Sequence, residues 1–385
     1  MFAFKANSKW KMVQFGTGLN TLARYRGTTR VSGANVGNID GTTNFFDYVA
    51  QSSYGIKPNS LGGIADAAYY YNFMKYRPES NDYFCVIGDY FNQNFTKETN
   101  GALREYIFTL GGNYNDKLFL GATLGVPFFN YTEKTTYTEN LDTYFDTLGY
   151  DYLYHCDEFR ASATGINLKL GIIYQPANYI RVGAAFHTPS WYPNVKESFR
   201  NEFDINNIYY LRSDTLYYTE SDGEITYGEF KGYQLTTPYR AMANVAFIFK
   251  KHGFINLDYE FTDYSTSTLQ SNSYNFNNEN NATRKYYQPA HTVRIGGELN
   301  LSPIALRLGY AFSSNPYSKY LEKDGTQHTI SGGIGLKGKT LFADFGYMYR
   351  FTNDKDVFYD APLSINPYSS SLVNQVFTLT LGLKL

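Results

Sequence analysis

Residues 161–189, ASATGINLKLGIIYQPANYIRVGAAFHTP, contain two runs in which apolar residues strictly alternate with small, polar or charged ones. The apolar positions are Ile166, Leu168, Leu170 and Ile172 in the first run, and Ile180, Val182, Ala184 and Phe186 in the second. A period of two is typical of a β-strand. The link at 175–178 contains a proline and predicts a short turn. The stretch is therefore predicted to be a hairpin with one apolar face, which would point inward in a soluble sandwich and toward lipid in a membrane barrel.

The composition favours the membrane barrel. Of the 385 residues, 39 are Tyr and 30 are Phe, and this aromatic content suits the two interfacial girdles of an outer-membrane barrel. The mean hydropathy of −0.41 argues against helical membrane spans, as does the lack of any run approaching ~18 apolar residues. A formal net charge of −1 offers no basic field, so nucleic acid is not predicted as a partner.

Short turns and long polar connections alternate along the whole chain. The short links are residues 6–9, 115–117, 175–178, 250–253, 300–303 and 337–340, whereas connections such as 133–158 and 192–237 are long and are predicted to be polar loops. In an up-and-down barrel this alternation places the turns at one rim and the loops at the other. The predicted fold class is therefore all-β, a transmembrane antiparallel up-and-down β-barrel.

The strand count indicates that the chain lacks its beginning. Thirteen strands are recognisable, from a stub at residues 1–5 to the last run at 373–385, whereas bacterial single-chain barrels have an even number. The N-terminal residues also lack the apolar stretch of a signal peptide. We therefore expect residues 1–385 to form a single barrel domain whose first strand and signal peptide lie upstream of Met1.

Three local features are predicted within this pattern. Pro127 interrupts an otherwise regular strand, and because proline cannot donate to the ladder it indicates a bulge or a local opening of the wall. Residues 64–76, IADAAYYYNFMKY, are predicted to form a short amphipathic helix within the longest loop. Lysines gather at the predicted tight-turn rim, at positions 117, 250, 251, 337 and 339.

Three passages carry a resemblance to a known family. They are residues 9–20 (KWKMVQFGTGLN), residues 112–131 (GNYNDKLFLGATLGVPFFNY) and residues 165–189 with the closing His-Thr-Pro. Together they resemble the long-chain fatty-acid transporters of Gram-negative outer membranes (FadL/TodX type), in particular Bacteroidetes members. The resemblance implies a fourteen-stranded barrel in the cell outer membrane. It also implies passive transport of hydrophobic small molecules, most of all long-chain fatty acids, with outer-membrane lipid and the barrel-assembly machinery as partners and no cofactor.

The chain departs from the family pattern at both ends. Family members begin with a signal peptide and an N-terminal plug that fills the lumen, and neither is present here. Members also usually end in an aromatic residue, whereas this chain ends in Leu385. Because the plug helps to form the ligand pocket, we carry over no pocket residue from the family.

Alternation places a set of charged side chains on the face opposite the apolar one. They are Lys169, Arg181, Asp258, Glu260, Arg294, Glu298, Arg307, Asp344 and Arg350. An Arg in bidentate geometry could bind the carboxylate of a fatty acid. The alternative is that these charged residues neutralise one another across neighbouring strands. The candidate ligand-binding residues are Lys169, Arg181, His187, Arg294, Arg307 and Arg350. His187, at the loop end of its strand, is a candidate for binding a carboxylate or haem, or for a simple hydrogen bond.

The remaining candidates are weaker. Cys85 and Cys156, the only cysteines, fall in predicted exterior loops and form a candidate disulfide. The sequence around Cys156 has too few ligands for zinc, and no metal site is predicted. His155 and Asp151 could supply a catalytic base, but no serine motif accompanies them, and an enzyme is not predicted. The alternative functions are a structural or adhesin-type barrel with partner-binding exterior loops, and a haemin-binding barrel.

Overall fold

The structure is a computed structural model that describes residues 2–3, 8–34, 44–87, 91–141, 148–213, 215–321, 323–338, 341–356 and 368–383. Most of these residues lie in strands. The strands are β1 (Phe2–Ala3), β2 (Trp10–Arg24), β3 (Gly27–Ala34), β4 (Met74–Arg77), β5 (Asp82–Cys85), β6 (Phe91–Tyr114), β7 (Leu118–Leu141), β8 (Gly149–Thr164), β9 (Asn167–Ala177), β10 (Ile180–His187), β11 (Trp191–Arg212), β12 (Thr215–Thr236), β13 (Arg240–Ile248), β14 (Gly253–Asp263), β15 (Thr268–Gln270), β16 (Pro289–Leu301), β17 (Ile304–Ser313), β18 (Gln327–Lys337), β19 (Leu341–Asp356) and β20 (Tyr368–Leu383).

The helices are few and short. They are α1 (Phe45–Ser52), α2 (Ile64–Tyr70) and α3 (Asn277–Tyr286), with 3₁₀ turns at Pro58–Ser60 and Tyr264–Thr266. Within the described part of the chain, no helix combines the length and the apolar character needed to cross a membrane.

All strands except β4 and β5 join one antiparallel sheet in which each span pairs with the next along the chain. Several spans consist of two successive strands, namely β2 with β3, β8 with β9, β10 with β11, β12 with β13, and β14 with β15. The predicted all-β, up-and-down antiparallel architecture is confirmed, and thirteen spans are present among the described residues. The pairing order runs from β1 to β20. Met1, residues 4–5 and residues 384–385 of the predicted terminal strands lie outside the described residues.

The register aligns the apolar side chains of neighbouring strands on one face of the sheet. Leu257 stands opposite Val245 on one side and Ile295 on the other, and Phe345 stands opposite Leu379. Val245 is half-buried, and the other four side chains are exposed to the surroundings. We call this the outer face, and the opposite face, which carries the charged residues, the inner face. An apolar surface of this extent requires a cover, and a bilayer provides one.

Two predicted loops are wrong. Most of residues 133–158 belongs to β7 and β8, and most of residues 192–237 to β11 and β12, which pair as far as Arg212 and Thr215. These segments are rich in Tyr, Thr and Ile, which favour extended backbone and pack well across strands. The sheet therefore continues as long hairpins beyond the band of apolar residues.

The turns and Pro127 differ in detail from the prediction. The turn expected at residues 175–178 falls slightly later, because β9 continues to Ala177, which pairs with Ile180. Pro127 keeps its place opposite Glu105 in β6. On its other side, β7 changes partner, from β9 at Gly125 to β8 at Phe128. The predicted irregularity is therefore present, and it lies on the side of β7 that faces β8 and β9.

Residues 45–87 form a small folded unit, which we call the insertion. Its helices α1 and α2 and its hairpin β4–β5 pack against the extended parts of β6, β7, β8 and β11. The buried side chains of this core include Phe45, Phe46, Val49, Phe73 and Met74 from the insertion and Phe91, Tyr137, Leu153, Phe203 and Ile205 from the sheet. Tyr137 shares the inner face with Pro127, since both are odd-numbered positions of β7. The insertion therefore covers the inner face. Its predicted helix at 64–76 is present but ends at Tyr70.

Candidate functional site

Charged residues near the tight-turn rim of the inner face form a neutralised network. Arg307 donates from Nε to Glu298 Oε2 at 2.8 Å and from Nη1 to Asp344 Oδ1 at 2.5 Å. Lys337 Nζ lies 2.7 Å from Glu298 Oε1. Two cations thus face two carboxylates across four neighbouring strands, β16 to β19. A ligand carboxylate would have to displace one of these acids to reach the Arg307 guanidinium.

A second charged group lies further round the sheet. Arg294 Nη2 is 2.7 Å from Glu260 Oε2, and Arg240 Nη1 is 3.8 Å from Glu260 Oε1. Here two cations share Glu260, and a second acid, Asp258, stands directly opposite Arg294 in the register. The Arg294 side chain is about half exposed, which makes its pair with Glu260 weak.

The middle of the inner face holds a polar cluster around Glu105. The Glu105 side chain is fully buried, and its carboxylate contacts Lys169 Nζ and accepts a hydrogen bond of 2.9 Å from Asn167 Nδ2. Asn167 Nδ2 also donates to Ser190 Oγ at 2.9 Å. These contacts cross β7 at Gly125, where a β-carbon would collide with both Glu105 and Asn167. Gly125 therefore leaves room for side chains of β6 and β9, the two neighbours of β7, to contact each other across it.

His187 lies next to this polar cluster. It pairs with Lys169 of β9 and with Arg240 of β13. As predicted, His187 is the last residue of its strand, but this strand end does not lie at the loop rim, because the span resumes at Trp191 and continues to the end of β11. His187 is therefore an inner-face residue in the half of its span nearer the tight turn, at the break between β10 and β11.

An apolar layer, which we call the aromatic cluster, begins at Phe129, the next inner-face position of β7 after Pro127. Phe129 meets Tyr192 with ring centroids 5.4 Å apart, and Tyr233 meets Phe276, at the start of α3, at 5.3 Å. Tyr192, Val195 and Tyr233 are buried. The Tyr233 hydroxyl donates to Glu197, which satisfies its polar end. The inner face thus changes along the spans from charged, through polar, to aromatic beneath the insertion.

Apart from His187, the predicted site residues fall into two groups. Lys169, Arg294 and Arg307 each face a carboxylate. Arg181 donates to the Gln175 amide oxygen at 3.1 Å, and Arg350 donates to the Thr329 hydroxyl at 3.3 Å. Neither of these two guanidinium groups pairs with a carboxylate among the described residues. They are the predicted residues that a ligand carboxylate could reach without displacing an acid.

Sequence reasoning missed a buried carboxylate that fixes the insertion to the sheet. Glu139 of β7 is fully buried and accepts hydrogen bonds from Gln93 Nε2 at 2.8 Å, from the Phe45 backbone N–H at 3.0 Å, and from the hydroxyls of Tyr137 and Tyr150. Burial raises the pKa of Glu139, and the four donors oppose this shift without cancelling it. The Phe45 N–H belongs to the first turn of α1, so Glu139 joins this helix end to the wall.

The exterior side of the insertion borders a groove lined by tyrosines. A cavity of about 690 Å³ lies between the insertion and the end of the β11–β12 hairpin. Its lining combines the rings of Tyr69, Tyr70, Tyr76 and Tyr210 with the charged side chains of Asp66, Lys75 and Arg212. Aromatic rings of this kind offer a large apolar contact area at low entropic cost. The groove is therefore a surface on which an apolar molecule can adsorb.

The candidate disulfide is not formed. Both cysteines are free, and neither lies in a loop, since Cys85 belongs to β5 of the insertion and Cys156 to β8 of the sheet. The Cys85 thiol donates to the Ile87 carbonyl at 3.5 Å, and Cys156 is fully buried. Burial raises the pKa of Cys85 to about 12. The two thiols are therefore packed separately, one in the insertion and the other in the sheet.

We expect both thiols to resist alkylation in the folded protein. The raised pKa of Cys85 leaves almost no thiolate at pH 8, and the thiolate is the reactive form. Cys156 is fully buried, so the reagent cannot reach its thiol. Iodoacetamide labelling followed by mass mapping should modify Cys85 and Cys156 only after denaturation. A linked Cys85–Cys156 peptide pair under non-reducing conditions would contradict the structure.

The residues considered for catalysis do not form a pair. Asp151 accepts a hydrogen bond from Asn207 Nδ2 at 3.0 Å. His155 instead lies 3.6 Å from Asp157 and packs against Phe45, and burial lowers the pKa of its ring. No three His, Cys, Asp or Glu side chains in the described ranges come together in a way that could hold a metal ion.

Comparison with known proteins gives structural likeness only. No family model and no curated protein matches the sequence. A FadL homologue of Pseudomonas aeruginosa is 14% identical, with 76% of this chain and 74% of that chain covered and a TM-score of 0.46. The toluene transporter TodX of Pseudomonas putida is 10% identical, with 96% and 86% covered and a TM-score of 0.44. The monoaromatic hydrocarbon channel CymD is 12% identical, with 75% and 78% covered and a TM-score of 0.43. Because these TM-scores are below 0.5, we transfer no residue and no activity from these proteins.

Proposed function

We propose that the chain forms an outer-membrane β-barrel that passes hydrophobic compounds, above all long-chain fatty acids, by passive diffusion. The observation that supports this most directly is the aromatic cluster on the inner face, formed by Phe129, Tyr192, Tyr233 and Phe276 with their neighbours. Tyr192 and Tyr233 are buried in this cluster, whereas Phe129 and Phe276 at its edge are only half-buried and offer apolar surface on the inner face. This surface is suited to binding an apolar molecule, since such sites are mostly apolar with a few placed polar groups.

The arrangement of surfaces supports a route for the molecule. It would adsorb in the tyrosine-lined groove beside the insertion, reach the aromatic cluster, and leave near the bend where β7 changes partner beside Pro127. Each CH₂ group removed from water contributes about 0.8 kcal/mol, so burial of the acyl chain drives capture. No energy source is required in this scheme, because the molecule moves down its concentration gradient.

The aromatic cluster offers the test of this function. Vesicles containing the wild-type chain should take up labelled oleate faster than protein-free vesicles. Phe276→Asp places a charge in the aromatic cluster and should slow uptake, whereas Tyr320→Asp, at a loop position that is 62% exposed, should not. Both variants need native heat-modifiable gel mobility to be compared. Uptake no faster than in protein-free vesicles, or equal uptake by the two variants, would reject the proposed function.

Arg350 is the candidate anchor for the carboxylate of a fatty acid. Its side chain is exposed on the inner face and its described partner is a neutral hydroxyl, so a carboxylate could replace that bond with a charge-assisted one. We expect Arg350→Gln to slow uptake of oleate more than uptake of oleyl alcohol. Arg294→Gln is the matched control, because Glu260 retains Arg240 as a partner. An unchanged oleate-to-alcohol ratio in Arg350→Gln would remove this role.

A further inference from the structure

An apolar cavity opens on the outer face directly beside a tight turn. It has a volume of about 470 Å³ and lies over Gly297 of β16, between Phe249, Phe254, Ile255, Leu299 and Leu308. Gly297 leaves this space because its neighbours in the register, Ile255 and Leu308, both carry side chains on the outer face. We call this cavity the Gly297 groove. Its walls are apolar side chains on strands that are regularly paired.

The turn above the groove is basic and fixed in place. Lys250, Lys251 and His252 connect β13 to β14, and all three are exposed. The Lys251 carbonyl accepts a hydrogen bond from Asn300 Nδ2 at 3.1 Å, and the His252 carbonyl accepts one from the Asn300 backbone N–H at 2.8 Å. These bonds hold the turn against the neighbouring hairpin. Neither lysine ammonium is paired with a carboxylate among the described residues.

The acid nearest to the groove does not oppose this positive charge. Glu298 lies next to Gly297 in β16, but its carboxylate points to the inner face, where Arg307 and Lys337 bind it. The rim therefore combines an apolar groove on the outer face with two exposed lysines in the turn that borders it. That combination matches a molecule with an acyl chain and an anionic headgroup joined end to end.

We propose that the Gly297 groove and the turn 250–252 bind one anionic glycerophospholipid of the surrounding bilayer. One acyl chain lies in the groove, and the phosphate contacts Lys250 and Lys251. The groove opens on the face that the bilayer covers, which favours a lipid over a protein partner, and the paired lysines favour an anionic headgroup over a zwitterionic one. The proposal rests on the membrane location in the proposed function and adds a site outside the transport route.

Lipid retention measures this site separately from transport. The wild-type chain is purified in detergent, titrated with phosphatidylglycerol or phosphatidylcholine of equal chain length, and analysed by native mass spectrometry. We expect one phosphatidylglycerol molecule to be retained in preference to phosphatidylcholine. Each lysine near an anionic lipid surface changes the affinity by about fivefold, so Lys250→Gln with Lys251→Gln should lower retention by up to about thirtyfold. Lys9→Gln with Lys117→Gln removes the same charge at the same rim and should have little effect.

The apolar half of the site has its own variants. Leu299→Ala with Leu308→Ala removes two walls of the groove at positions that are 50% and 77% exposed, so the fold should tolerate them. This pair should release the lipid, whereas Leu379→Ala, equally exposed on β20, should not. Equal retention of the two lipids by the wild type, or equal losses in the variants and their controls, would overturn the lipid site. Oleate uptake measured on the same samples tests transport independently, so failure of one proposal is distinguishable from failure of the other.

Discussion

Leu170→Arg is expected to make folding into a bilayer less favourable by about 2–4 kcal/mol, the cost of a cation facing lipid at mid-depth of a barrel. Leu170 is 47% exposed on the outer face of β9. It stands between Ala122 of β7 and Phe186 of β10, which offer no acid to pair with the new guanidinium. The penalty is therefore that of an unpaired charge, and it should be measurable by urea titration of folding into lipid vesicles.

The neighbouring strand positions of β20 provide a matched comparison. Leu381→Arg places the same charge on the outer face at a site that is 66% exposed and should cost a similar amount. Thr380→Arg, one residue away, points to the inner face opposite Asp344, whose carboxylate can accept it. Its cost should be much smaller. Equal penalties at positions 380 and 381 would show that the outer face does not meet lipid.

The spans of the sheet were predictable because each carries its own local signal. Alternation in β9, β10 or β20 assigns every residue to one face without knowledge of its neighbours. The ends of the spans were not predictable in this way. In β11 and β12 the residues beyond the apolar band are largely polar, and the few apolar ones, such as Phe203 and Ile205, pack on the insertion; pairing of β11 with β8 and β12 keeps the segment extended. Tyr and Thr propensity gave a signal there, but a polar segment rich in these residues is equally compatible with a loop.

The candidate site shows the same limit. Alternation placed Lys169 on the inner face, but its acid, Glu105, belongs to β6 and lies beyond the intervening strand β7. Their contact depends on the register of three strands and on the glycine at position 125. None of these follows from a single sequence. The core of the insertion was missed for a related reason, since Phe45 packs on Tyr137, which lies far along the chain in another element.

Glu139→Ala is expected to detach the insertion from the sheet. The substitution leaves the Phe45 N–H, the Gln93 amide and the hydroxyls of Tyr137 and Tyr150 without their acceptor inside a buried core. Each buried donor left unsatisfied costs about 1–3 kcal/mol, so we expect a loss of about 3 kcal/mol or more, reduced where water enters the site. Hydrogen exchange should show α1 losing its protection, while the paired strands β16 to β19 keep theirs.

Two further variants separate the acceptor from the charge. Glu139→Gln keeps the shape and one acceptor oxygen but directs an NH₂ group at the remaining donors. Its stability should therefore lie between those of the wild type and Glu139→Ala. Glu133→Ala removes an acid from the same strand that is partly exposed and paired with Lys97 at 3.0 Å, and screening by solvent should limit its cost to about 1 kcal/mol or less. If Glu139→Ala were no worse than Glu133→Ala, the insertion would be held by its apolar core alone. If protection fell throughout the sheet as well, the insertion and the wall would be one cooperative unit, and the covering of the inner face could not change without unfolding the spans beneath it.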